Sequence, residues 1–134
     1  MADGKKILVA DDEQQLALAL KIRLESQGYQ VVTAQDGQAA LELATKEKPD
    51  LVILDVLMPV MDGYSCLREL NQRFGRGKIP IIILTARDRM KDLFELEGIE
   101  DYVIKPFDHE DLLVRIERTF KRRESGKAAA PAAS

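Results

Sequence analysis

The chain has 134 residues, 46% hydrophobic and 32% charged, with a net charge of −3 and a single cysteine. That length fits one domain able to bury roughly two-thirds of the surface its unfolded form exposes, and the composition excludes a disordered or collagen-like chain. The charge offers no basic face for direct nucleic-acid binding, no apolar stretch reaches the length needed for membrane insertion, and the lone Cys66 makes neither an internal disulfide nor a thiolate metal site, so a cytoplasmic protein is expected.

The first apolar run, Ile7 to Ala10, stops in three acids, Asp11, Asp12 and Glu13. Like charges held this close disfavour one another's ionised forms unless a cation or hydrogen-bond donors sit among them. Leu16, Leu20 and Leu24 then fall on one face of a predicted first helix, with Gly28 as its stop. Tyr29 to Ala34 reads as a second strand, and Ala40, Leu41 and Ala44 mark a second helix that ends before Pro49. Leu51 to Leu54 is a third strand, closed by Asp55, and Tyr64, Leu67 and Leu70 mark a third helix. Ile81 to Leu84 leads into Thr85. Leu93 and Leu96, with a stop at Gly98, suggest a short fourth helix. Tyr102 to Ile104 leads into Lys105, and Leu112, Leu113, Ile116 and Phe120 make a fifth helix that starts at a cap, Asp108. Cys66 reads as a small residue partly buried on a helix, and His109 as an exposed one.

Runs such as "LVIL" and "IIIL" do not alternate apolar with polar residues, so they are expected to be covered on both faces, as in a parallel sheet. Five alternating strand and helix units predict an α/β fold, a single doubly wound sheet with helices on both faces. Residues 1–123 form the expected domain, and 124–134, "ESGKAAAPAAS", read as a flexible tail or the start of a linker.

In such a sheet ligands bind beyond the carboxyl ends of the strands. Asp11, Asp12, Asp55, Thr85 and Lys105 all fall on that rim. Taken singly each has a plain reading: Asp12 as a helix cap, Asp55 as a turn residue, Thr85 as a strand residue, Lys105 as a solvated loop residue. Four such accidents at four matching strand ends are less economical than one site. Carboxylates suit a hard cation such as Mg²⁺, and a lysine and a hydroxyl opposite it suit a phosphoryl group.

The motifs "VADDE", "ILDVLMPVMDG", "IIILTA" and "DYVIKPF", in this order, resemble the receiver domain of two-component response regulators, as in the chemotaxis regulators, over about Lys5 to Arg123. The resemblance implies a five-stranded flavodoxin-like sheet of order 2-1-3-4-5. It implies that Asp55 accepts a phosphoryl group from a sensor histidine kinase or a histidine phosphotransfer protein. Asp12, Asp55 and the backbone carbonyl of Leu57 would hold Mg²⁺, with Mn²⁺ as a substitute, and Asp11 would act through water. Lys105 would pair with phosphoryl oxygens, Thr85 would donate to the phosphate, and Tyr102 would turn inward behind Thr85. Pro106 would follow a cis peptide bond, and Pro59, Asp62 and Gly63 would shape the loop beside Asp55. The output face would comprise the fourth helix, fifth strand and fifth helix, read by a downstream protein effector or used in a phosphorylation-dependent dimer. The family's variable flanking positions are Leu57 and Arg87 here, and the stretch from Thr85 to Lys105 is short for the family, with the shortfall in the fourth helix.

Three other readings compete. A Mg²⁺-dependent phosphohydrolase with an aspartyl nucleophile would favour an acid two residues after it, where this chain has Leu57. A receiver-like docking module without phosphorylation would have no need of Asp12, Asp55, Thr85 and Lys105 together. A nucleotide- or flavin-binding module is weaker still, because no G-x-G-x-x-G or P-loop follows the first strand.

Overall fold

The computed structural model describes residues 4–87 and 89–125. Five strands, β1 (Lys6–Ala10), β2 (Gln30–Ala34), β3 (Leu51–Leu54), β4 (Ile81–Thr85) and β5 (Asp101–Ile104), alternate with α1 (Gln14–Ser26), α2 (Gly37–Glu47), α3 (Gly63–Phe74), α4 (Lys91–Leu96) and α5 (His109–Glu124). The strands form one parallel sheet, as the apolar runs predict, of order β2-β1-β3-β4-β5, as the family resemblance implies.

The continuous apolar runs are explained by the period of two along a strand. Leu8, Ala10, Val52, Leu54, Ile81 and Ile83 point to one face, against Ala40, Leu41 and Ala44 of α2, Cys66, Leu67 and Leu70 of α3 and Phe94 of α4. Ile7, Val9, Leu51, Ile53, Ile82 and Leu84 point to the other, against Ala17, Leu20 and Leu24 of α1 and Leu112, Leu113, Ile116 and Phe120 of α5. Burial pushes the Cys66 thiol up to about 12, in keeping with an inert core residue. The caps follow their chemistry as well: Asp36, Asp62 and Asp108 accept from backbone amides at the starts of α2, α3 and α5.

The fourth helix departs from the expectation for its sequence. Leu93 and Leu96 are 40% and 62% exposed, whereas Phe94 is wholly buried and is the residue that faces the core. A helix of six residues offers fewer than two turns, so it seats one large side chain rather than a leucine stripe. Its carbonyl end is held from outside: Arg76 Nη2 donates to Leu96 O at 2.8 Å, Asn71 Nδ2 donates to Glu97 O at 2.8 Å, and Tyr64 Oη donates to Glu97 Oε2 at 3.1 Å. Truncation of Phe94 to alanine is therefore expected to lower stability by about 3 kcal/mol or more. Leu96→Ala should stay within about 0.5 kcal/mol of the wild type. Denaturant midpoints of the two variants check this, and equal losses would contradict it.

The fifth helix runs through Glu124, one residue past the expected domain boundary, and ends at Ser125. The remainder of the expected tail, 126–134, lies outside the described residues. No helix among the described residues is long and apolar enough to cross a membrane.

Candidate functional site

The chain leaves β1 to one side for β2 and returns on the other for β3, so the loops after β1 and β3 part above the centre of the sheet. The ladder carries the acids to that opening. Asp55 N donates to Ala10 O at 2.9 Å and Asp11 N donates to Ala34 O at 3.0 Å, so both residues extend their strands by one backbone pair. At the other side Lys105 N donates to Thr85 O at 2.8 Å, which seats the lysine beside the end of β4.

Asp11, Asp12 and Asp55 each offer a carboxylate oxygen, and these lie within 4.8 Å of one another. Asp11 is 2% exposed; its Oδ1 accepts from Glu13 N at 2.9 Å and its Oδ2 meets Lys105 Nζ at 2.8 Å. Asp55 is also buried; its Oδ1 accepts from Val56 N at 2.7 Å and its Oδ2 from Lys105 Nζ at 3.2 Å. Asp12 is exposed and does not cap α1, contrary to its plainest reading: the cap position is Glu13, and that helix start has no side-chain cap bond. Asp12, Glu13, Asp55, Leu57, Thr85, Ala86 and Lys105 line a cavity of about 220 Å³.

The electrostatics follow from the crowding. Burial pushes the Asp11 carboxyl above its ordinary value and the neighbouring Asp55 charge adds to this, while Lys105 and the Glu13 amide pull the other way. Burial alone would lower Lys105, yet Asp11, Glu13 and Asp55 together outweigh it and hold the ammonium above its ordinary value. The lysine is thus a fixed positive charge. Three converging carboxylates and one ammonium leave an anionic surplus, and oxygen donors at these separations suit a hard divalent cation.

Thr85 is buried with its hydroxyl beside the cavity, where Oγ1 accepts from Arg87 N at 3.3 Å. Tyr102 lies inward: its hydroxyl donates to Arg87 O and its ring stands 5.9 Å from Phe94, which in turn meets the ring of Tyr64 edge-on at 5.4 Å. The Lys105-Pro106 peptide is cis. His109, half-buried rather than exposed, stacks on Phe107 at 5.0 Å and lines a neighbouring cavity with Glu13 and Lys105. Leu57 is exposed at the cavity mouth.

The loop from Asp55 to Gly63 is fixed by close backbone approaches. Gly63 N donates to Val56 O at 2.8 Å, and a Cβ on Gly63 would stand 2.0 Å from Asp55 O. A Cβ on Gly37 would stand 2.0 Å from Met61 O. Between these contacts Val60 adopts φ of 70°, a left-handed conformation a β-branched residue takes only when its flanks impose it.

One contact is not foreseen from the sequence. Glu13 Oε1 meets Lys105 Nζ at 2.7 Å, although in the sequence it is only the third acid of a run, with no role of its own. Its signal is its place, one residue beyond the pair at the strand end.

The family model described as response regulator receiver domain matches residues 7–117. The chain is 42% identical over 123 residues to the alkaline phosphatase synthesis transcriptional regulatory protein PhoP of Bacillus subtilis (strain 168), covering 90% of this chain and 50% of that protein. It is 46% identical over 123 residues to the probable transcriptional regulator ycf27 of Cyanophora paradoxa, with the same coverages of 90% and 50%. The chain thus spans about half the length of the curated relatives it matches. Among solved structures it is similar to the Francisella response regulator 1452 receiver domain, with a TM-score of 0.81 and 34% identity over 90% of this chain and 99% of that one. It is also similar to the response regulator TrrA of Thermotoga maritima in complex with Mg(2+)-BeF, with a TM-score of 0.77 and 34% identity over 85% of this chain and 97% of that one.

Proposed function

Because the chain belongs to the response regulator receiver domain family, the phosphoacceptor switches of two-component signalling, we propose that Asp55 is its phosphoacceptor, charged by a sensor histidine kinase or a histidine phosphotransfer protein. The observation that carries this reading is the meeting of Asp11, Asp55 and Lys105 from the ends of β1, β3 and β5 around one cavity.

In the proposed step an Asp55 carboxylate oxygen attacks the phosphorus of a phosphohistidine. The new O–P bond forms as the N–P bond breaks, and the electron pair leaves with the imidazole nitrogen. There is little covalent work for the protein to do, so positioning and charge carry the catalysis. Lys105 sits where it can accept charge from the phosphoryl oxygens, and Thr85 has a hydroxyl beside the cavity to donate to one of them.

Asp12, Asp55 and the backbone carbonyl of Leu57 would hold Mg²⁺, or Mn²⁺ in its place, with Asp11 acting through water. Bound there, the ion supplies the positive charge that offsets repulsion between the carboxylate and the incoming phosphoryl group. The complex of TrrA with Mg(2+)-BeF supports this assignment by similarity. Slow hydrolysis of the aspartyl phosphate would reset the switch.

Phosphate biases a two-state element only through contacts it makes better in one state. Here those would run through Thr85 and Lys105 to the face of α4, β5 and α5, with Tyr102 as the side chain behind Thr85. The output would pass to a protein effector in the cytoplasm, or through a phosphorylation-dependent dimer, without direct contact between residues 1–123 and nucleic acid. Leu57 stands two residues after Asp55 where a phosphohydrolase would want an acid, which favours a switch over a turnover enzyme.

Incubated with a small phosphodonor and Mg²⁺, the protein is expected to gain one phosphate by intact-mass measurement, on the peptide that holds Asp55. Chelation of the metal should abolish the gain. A gain that survives chelation, or that maps to another residue, overturns the assignment.

A further inference from the structure

The ammonium of Lys105 has three N–H donors, and it faces three carboxylates: Glu13 at 2.7 Å, Asp11 at 2.8 Å and Asp55 at 3.2 Å. The three acids differ in what holds them. Asp11 and Asp55 are 2% and 7% exposed in their side chains and each also accepts a backbone amide. The Glu13 side chain is 60% exposed, and Lys105 is its ion-pair partner. Of the three it is the one that solvent reaches, and it lines the same cavity as Asp55.

We propose that Glu13 is a positioning residue, which occupies the outward donor of Lys105 in the resting protein as a stand-in for a phosphoryl oxygen and releases it when Asp55 is modified. This deepens the reading of Asp55 as phosphoacceptor and rests on it. The argument is one of charge and room. A phosphoryl group brings nearly two negative charges into a cavity of about 220 Å³ that Glu13 itself lines. Esterification takes the charge of the Asp55 carboxylate, so the phosphoryl oxygens join Asp11 and Glu13 around the lysine with about one more negative charge than before; of those two carboxylates the one already in water yields at least cost, because water replaces its partner. In the resting state Glu13 keeps the long lysine side chain aimed at the mouth of the cavity; in the modified state it is a competitor displaced.

The probe is Mg²⁺ with trifluoroberyllate, titrated into the full chain by calorimetry, beside the rate of phosphate mass gain from a small phosphodonor. Glu13→Gln removes the competing charge and is expected to bind the probe about fivefold more tightly, the scale of an exposed ion pair. Glu13→Asp keeps the charge but is one methylene shorter, and an aspartate at this position is drawn to the free amides at the start of α1. It should therefore resemble Glu13→Gln, at low and high salt alike. If Glu13→Asp instead resembles the wild type and the gain in Glu13→Gln disappears in salt, the effect is diffuse repulsion and the proposal falls. Unchanged or weaker binding by Glu13→Gln, with or without a lower thermal midpoint, also overturns it. A wild type that neither binds the probe nor gains phosphate overturns the phosphoacceptor reading as well, whereas a wild type that does both leaves the variants to decide the role of Glu13 alone.

Discussion

Asp55→Asn is expected to take no phosphate from a small phosphodonor and Mg²⁺, with the rate of mass gain falling by more than roughly 10⁴-fold, the scale on which loss of a nucleophile acts. The amide has the shape of the carboxylate but no anionic oxygen to attack phosphorus. Its Oδ1 can still accept the Val56 amide, so the backbone bond at 2.7 Å survives. The fold should not suffer. Asp11, Asp12 and Asp55 crowd their oxygens within 4.8 Å, and removal of one charge relieves the other two. The thermal midpoint in the absence of metal should thus equal or exceed that of the wild type. Intact-mass and thermal measurements on one preparation test both halves, and a variant that still gains phosphate on the peptide spanning the substituted position would sink the assignment.

Gly63→Ala should be the most damaging small substitution in the loop. The added Cβ would stand 2.0 Å from Asp55 O and 2.9 Å from Val56 Cα, and both obstacles are backbone rather than a side chain that can swing aside. Either α3 retreats or the residue that bears the nucleophile moves. The expected cost is about 3 kcal/mol or more, at the upper end for an overpacked position, with a fall in thermal midpoint of about 10 °C. Phosphate uptake should slow well below that midpoint, because Asp55 itself is displaced. Gly77→Ala is the contrast. Nothing lies within 4 Å of its Cβ, and only its φ of 77° opposes the change, which costs about 1–2 kcal/mol and should leave uptake alone. Thermal melts and uptake rates of the two variants check the contrast, and equal effects on uptake would contradict it.

Much of this architecture is legible in the chain because it rests on period and punctuation. Continuous apolar runs such as Leu51 to Leu54 read as strands buried on both faces, and the acids and lysine that end them fall on one rim by topology alone. The family motifs then give order to the sheet. Contacts that depend on side-chain reach are harder to foresee. Glu13 meets Lys105 across 92 positions, and no local pattern encodes that distance. Phe94 escapes the pattern because a six-residue helix shows too few turns for a periodicity to emerge, so the leucines beside it look equally suited to the core. Asp12 has the residue type of a cap, but Asp11, its neighbour, is the acid that accepts from the Glu13 amide.

The outside tethers on α4 have a consequence for the economy of signalling. Beside the buried Phe94, this short helix is held at its carbonyl end by Arg76, Asn71 and Tyr64, each bond worth about 1 kcal/mol net. In the proposed reading of α4 as part of the output face, coupling energies of about 1–3 kcal/mol between distant sites match what these three bonds supply, so the carbonyl end can be released while Phe94 stays seated. In that reading sensitivity comes with leakage, since an end so easily released by phosphate is equally easily released without it.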